Sequence, residues 1–184
     1  MRRVPTQQQR RTATRTAVID AALAVFGRDG TLDAPLEQIA NEAGVAKGTL
    51  LYHFGSRLGL LRAVAVRLIA RLEATITAEG ADDLGGWIRA VLAAQQGPSG
   101  RVLYAIGDEL ALAGALAESD PGPYLLERLE GLGAADPELV AAAMLQFGRQ
   151  LAHGSSTTVD LDRFVALLAD AARPRSSGPA PLPA

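Results

Sequence analysis

The sequence predicts an all-α chain of about nine helices, and three observations carry that expectation. Apolar residues recur at i, i+3, i+4 and i+7 along most of the chain. Glycine, proline and capping residues cut this pattern into segments of helical length. Valine and isoleucine are few and no run alternates apolar with polar residues, so no strand is expected.

Taken in order, residues 1–11 are polar and basic without periodicity and read as a flexible arm. A helix follows from about Thr12 or Thr16 to Phe26, with Ile19, Ala22, Leu23 and Phe26 on one face and Gly27 and Gly30 as its stop. A short helix begins at Pro35, where a missing N–H has no partner to lose, and ends at Gly44. A third spans about 46–54, with Leu50 and Phe54 inward. Ser56 can cap a helix over 57–79 and Asp82 one over 83–96. The run 96–100 ends the latter, and a sixth helix extends from Arg101 to Glu118. Asp120-Pro121-Gly122-Pro123 is a hard break before a short helix at 124–132. Asp136-Pro137 starts a helix to 153, residues 153–156 form a loop, and Asp160 caps a last helix over 161–172. The proline-rich tail, 173–184, is expected to be disordered.

Composition narrows the chemistry. Hydrophobic residues make up 48% and charged residues 21%, which supports a folded core. There is no cysteine, and His53 and His153 are the only histidines, so thiolate sites and histidine-rich metal sites are excluded and no metal or other cofactor is expected. No nucleophile elbow, phosphate loop or metal-spaced cluster occurs, and no catalytic residue is assigned. Asp108 and Glu109 are neighbours on a helix and point about 100° apart, a poor acid–base pair. No segment reaches the roughly 18 apolar residues that span a bilayer, and a cytoplasmic location is expected. Residues 1–62 carry nine Arg/Lys against five Asp/Glu, whereas the rest carries nine against fifteen. That asymmetry suggests a nucleic-acid-facing module joined to an acidic one.

The sharpest motif lies at 36–55. Ile39, Ala43, Val45 and Leu50 are apolar at inward positions, Ala40 is small where two helices cross, and Gly44 stands where the turn needs positive φ. This is the pattern of a helix-turn-helix unit packed on the helix at 12–26, so that residues 12–56 form a DNA-binding domain. The second helix would lie in the major groove and present Ala46, Lys47, Gly48, Thr49, Tyr52 and His53. Lys47 suits a phosphate or a guanine edge, Thr49 a phosphate or a thymine methyl, and Gly48 close backbone approach. Tyr52, His53 and Arg57 suit phosphates, and Arg10, Arg11 and Arg15 the DNA backbone or minor groove.

These residues resemble the N-terminal domain of the tetracycline-repressor (TetR) family of bacterial regulators. The resemblance covers Thr16–Val64: Arg15, Ile19, Ala22, Phe26 and Gly30; the run from Leu36 to Val45; the run from Lys47 to Phe54; Ser56-Arg57; and Leu60-Leu61. Ala34-Pro35 replaces the usual hydroxyl pair before the second helix, and Ala46, Leu51 and Leu58-Gly59 also depart from the common pattern.

The resemblance implies that residues 57–172 form a helical effector-binding and dimerisation domain. Its pocket would lie between the fourth and seventh helices, with Trp87, Tyr104, Asp108, Glu109 and Tyr124 as candidate ligand contacts. An inward-facing Glu109 would favour a cationic ligand, and the short seventh helix a small or open pocket. Dimerisation would use the last two helices, through a stripe of Val140, Ala143, Met144, Phe147 and Leu151 and another of Leu161, Phe164, Val165 and Leu168. The implied function is a homodimeric repressor, released from an inverted-repeat operator in double-stranded DNA by an unknown small molecule. The alternatives are an activator or ligand-independent regulator, an interaction protein that keeps the fold without reading DNA, and an enzyme.

Overall fold

The structure, a computed structural model, describes residues 6–115, 122–154 and 160–173. Among these residues there are nine α-helices and no strand: α1 (Gln7–Asp29), α2 (Leu36–Glu42), α3 (Lys47–Phe54), α4 (Arg57–Ala78), α5 (Leu84–Ala94), α6 (Pro98–Leu112), α7 (Gly122–Gly131), α8 (Pro137–Ala152) and α9 (Leu161–Ala171).

The first helix corrects the expected arm. It begins at Gln7 because Thr6 and Gln9 cap it reciprocally. The Thr6 hydroxyl accepts from the Gln9 N–H at 3.2 Å, and the Thr6 N–H donates to Gln9 Oε1 at 2.7 Å. Arg10 and Arg11 therefore sit at fixed angles on a helix. Gly27 lies inside it, and Gly30 ends it in the left-handed conformation at φ 70°. The sixth helix also starts earlier than expected, at Pro98 in its first turn, and it ends at Leu112 rather than Glu118. Residues 116–118, the loop residues Ser155 and Ser156, the break residues Asp120 and Pro121, the arm residues 1–5 and the tail from 174 lie outside the described residues. Ser56, Asp83, Asp136 and Asp160 each accept a backbone N–H at the start of the helix that follows.

Two apolar cores organise these helices. One gathers Val18, Val25 and Phe26 of α1, Ile39 and Ala40 of α2, Leu50 and Phe54 of α3, Leu60, Leu61 and Val64 of α4, and Val102, Ile106 and Leu110 of α6. The other gathers Ile76 at the end of α4, Trp87, Ile88 and Val91 of α5, Leu125 and Leu129 of α7, Val140, Met144 and Phe147 of α8, and Val165 of α9. The first half of α4 and one whole face of α6 thus pack into the N-terminal core, beyond the expected boundary at residue 56. No helix among the described residues is long and apolar enough to cross a membrane.

Candidate nucleic-acid interface and effector pocket

α2 and α3 are joined by a tight turn. Gly44 adopts φ 68°, its N–H donates to the Asn41 carbonyl at 3.1 Å, and the Val45 N–H donates to the Ala40 carbonyl at 2.9 Å. A side chain at this φ would be strained, which is why glycine stands there. Leu50 and Phe54 bury one side of α3, while Lys47, Gly48 and Tyr52 are exposed on the other and Thr49 and His53 are half-buried. Tyr52 is 72% exposed, so its ring and hydroxyl are open to a partner that meets this face. Neither Pro35 nor Ala46 provides a side-chain cap, so the first N–H groups of α2 and α3 have no such partner.

The N-terminal turns of α1 run beside the C-terminal half of α3. Arg11 lies over the Tyr52 ring at 5.6 Å and Arg15 over the Phe54 ring at 5.2 Å. Gln7, Arg10, Arg11, Thr14, Tyr52 and His53 line one open groove. The structure thus brings Arg10, Arg11, Arg15, Tyr52 and His53 together at one end of α3, with Lys47, Gly48 and Thr49 at the other. Lys47 pairs with Glu37 of α2. The hydrogen bond from Lys47 holds the Glu37 carboxyl below its ordinary value.

Arg57 is placed differently from its reading as a phosphate contact. Its guanidinium donates to the Ala34 carbonyl at 2.9 Å and lies 3.7 Å from Glu109 of α6. Both groups are engaged in joining α4, the segment before α2 and α6. Glu109 faces this junction and not the interior of the C-terminal helices, which removes it from the expected pocket.

A cavity of about 450 Å³ does lie among α4, α5, α6, α7 and α8. Tyr104, Asp108 and Tyr124 line it as expected; Trp87 does not. Trp87 is 1% exposed and belongs to the C-terminal core, where it touches a separate open groove. The walls are mostly apolar, with Ile69, Leu72, Ile76, Leu103 and Leu145 among them. At one end the Tyr104 hydroxyl donates to Gln95 Oε1, and both residues are buried. Burial pushes the Tyr104 hydroxyl up to about 12, so it remains a neutral donor. Gly148 of α8 permits this arrangement, because a Cβ there would overlap Gln95 Oε1 and the Tyr104 hydroxyl. Arg149 grips Asp108 through two bonds of 2.5 and 2.9 Å and lies over the Tyr104 ring at 5.2 Å. Glu73 also lines the cavity.

Sequence reasoning missed Glu73, Gln95, Gly148 and Arg149. Glu73 did leave a signal: Ala65, Ile69, Glu73 and Ile76 share one helical face at i, i+4, i+8 and i+11, where an acid among apolar residues is out of place. Gln95, Gly148 and Arg149 left none, since their roles arise between helices far apart in the chain.

The expected dimer stripes are partly spent inside the subunit. Val140, Met144 and Phe147 are buried in the C-terminal core, and Phe147 stacks on Phe164 with centroids 3.9 Å apart. Leu151, Phe164 and Leu168 are half-buried against the same core. The large apolar side chains exposed on α8 and α9 are Leu139, Leu145 and Leu167. Leu145 lines the cavity, and Leu139 and Leu167 stay uncovered because α8 turns its buried face to α5, α6 and α7 and α9 packs on α5.

Comparison with known proteins agrees with this geometry. Residues 18–64 match the bacterial regulatory proteins of the tetR family. A segment of 51 residues, 28% of this chain, is 51% identical to the HTH-type transcriptional regulator SrpR of Pseudomonas putida, and it spans 24% of that relative's length. The multidrug binding protein EbrR, solved with imidazole, shares the fold with a TM-score of 0.74 at 20% identity, covering 89% of this chain and 92% of that one. The TetR-like regulator LfrR of Mycobacterium smegmatis, solved with proflavine, aligns with a TM-score of 0.57 at 25% identity over 94% of this chain and 99% of that one. The matched 47-residue segment holds α2 and α3 entire, most of α1 and the start of α4, the elements that build the exposed helix. The helix-turn-helix segment is thus similar to that of the bacterial regulatory proteins of the tetR family, while the chain spans only about a quarter of the length of a curated relative such as SrpR.

Proposed function

We propose that the chain is a homodimeric transcriptional repressor that leaves an inverted-repeat operator when a small molecule enters the α4–α8 cavity. The observation that carries this reading is the double role of α6. Val102 and Ile106 pack into the N-terminal core, Tyr104, Gly107, Asp108 and Ala111 line the cavity, and Leu110 belongs to both. Glu109 extends α6 to Arg57, and Arg57 to the carbonyl just before α2. A ligand that favours one position of α6 therefore biases the placement of α3, and the coupling acts equally in both directions. That EbrR and LfrR are solved with small molecules bound supports the same reading. So do the relatives of the N-terminal domain, which are regulators and give no support to an enzymatic role.

In this reading Lys47, Gly48 and Thr49 meet the DNA with the start of α3, and Tyr52, His53, Arg10, Arg11 and Arg15 meet the flanking backbone. Arg57 serves the junction. Two recognition helices about 34 Å apart require a dimer. Its interface is formed by the outer face of α8 and α9, where Leu139 (64% exposed) and Leu167 (61% exposed) are uncovered and Phe164 and Leu168 only half-buried.

The test is selection of bound fragments from a random DNA pool, followed by anisotropy at two salt concentrations. An enriched inverted repeat, bound with steep salt dependence as a two-chain complex, is the expected result. Binding that ignores salt and DNA sequence would overturn the reading in favour of an interaction protein.

A further inference from the structure

The charges that face the cavity are unbalanced. Among the described residues, three side chains of the acidic or basic type line it: Glu73, Asp108 and Arg149. Asp108 and Arg149 neutralise each other through their two-bond pair. Tyr104 and Tyr124 contribute neutral hydroxyls, and Gln95 and Gln146 neutral amides. Glu73 is left. It is half-buried on α4, one turn from Ile69 and from Ile76, and it has no hydrogen bond or ion pair among the described residues.

A carboxylate in such a place tolerates the three classes of ligand unequally. An apolar neutral ligand would strip water from Glu73 and leave it unpaired, which is unfavourable. An anion would meet the same charge at close range in a medium that screens poorly. A cation with apolar substituents satisfies the walls and the carboxylate together. We infer that the cavity takes a lipophilic organic cation with the Glu73 carboxylate as its counter-ion. This inference rests on the cavity being the effector pocket. It also moves the expected acid from Glu109 of α6 to Glu73 of α4, since Glu109 already serves Arg57.

The experiment is calorimetric titration of the full chain, without DNA, with three probes of similar shape: tetraphenylphosphonium, triphenylphosphine oxide and tetraphenylborate. The expected result is saturable binding of tetraphenylphosphonium, weaker binding of the neutral oxide and none of the borate. Glu73→Gln should weaken the phosphonium by about tenfold or more and leave the oxide unchanged or improved. Gly107→Phe, which projects a ring from the cavity face of α6 where a Cβ meets nothing within 4 Å, should abolish binding of both. Circular dichroism melts show that each variant is folded. Equal phosphonium affinity in Glu73→Gln, retention of binding in folded Gly107→Phe, or tighter binding of the borate would overturn the inference. A chain that binds phosphonium as expected but selects no operator would instead overturn the proposed function and leave the cation site standing.

Discussion

The two cores of this chain are built to opposite ends. Around α1–α3 the helices close on a filled interior: Val18, Phe26, Ile39, Leu50, Leu60 and Leu61 are sealed from solvent, and ion pairs such as Arg28–Glu42 and Arg71–Asp20 tie the outside. Around α4–α8 the helices border a partly open cavity of about 450 Å³ beside a smaller packed core. A filled core holds a surface in one shape, which suits the exposed face of α3. A hollow one can be occupied or empty, and so has two states between which a ligand can choose. α4 and α6 contribute to both regions, and the proposed coupling runs through them.

The comparison can be broken most forcefully at the filled core. Phe26→Ala should lower unfolding stability by about 3–5 kcal/mol, whereas Leu145→Ala, on the cavity wall and already partly exposed, should stay within about 1 kcal/mol. Urea melts of both variants measure the contrast, and similar losses would show that the cavity wall is as tightly packed as the N-terminal core. Gly148→Ala comes next. Its methyl must displace Gln95 or Tyr104, and a loss of about 1–3 kcal/mol is expected, with weaker ligand binding.

At the DNA surface, Lys47→Ala should weaken operator binding and reduce the salt slope by about one unit if the ammonium meets a phosphate. Anisotropy across a salt series decides this. An unchanged slope would leave Lys47 as the partner of Glu37 alone. At the junction, Glu109→Gln should change stability by at most about 1 kcal/mol, because the Arg57 pair is partly exposed. The same variant should shrink the factor by which ligand weakens DNA binding. Full coupling in Glu109→Gln would show that packing along α6 alone carries the signal.

The smallest effect concerns Glu37. Its folded-state pKa lies below 4.5, mainly through the hydrogen bond from Lys47. The pair is therefore intact above the ordinary carboxylate range and lost as pH falls through the lowered value. A carbon-detected NMR titration should give a Glu37 midpoint below 4.5 that moves back toward 4.5 in Lys47→Ala.

Legibility in the sequence followed the range of the interactions. The turn at Gly44 and the inward positions Ile39, Leu50 and Phe54 were readable because they obey spacing within one segment. The cap at Thr6 was also readable, as a Thr-x-x-Gln pattern, yet it lay in a stretch whose polar composition suggested an arm. Trp87 and Glu109 illustrate the limit. Both have residue types suited to a pocket, but whether a helical residue faces a cavity, a core or a neighbouring domain depends on what stands opposite. Val140, Met144 and Phe147, expected at a dimer interface, are buried within the subunit, with Phe147 against Phe164 of α9: an apolar stripe shows that something must cover it and not what does.

By itself, the sequence determined the helical class, the punctuation of the helices and the place of the helix-turn-helix segment. Those properties come from backbone propensity, caps and periodicity, which act over a few residues. Tertiary structure alone decided that α6 belongs to both the N-terminal core and the cavity wall, that Arg57 and Glu109 meet, and that Glu73 faces the cavity without a partner among the described residues. Those are matters of which faces meet across 30 or more positions of chain, and no local rule encodes them.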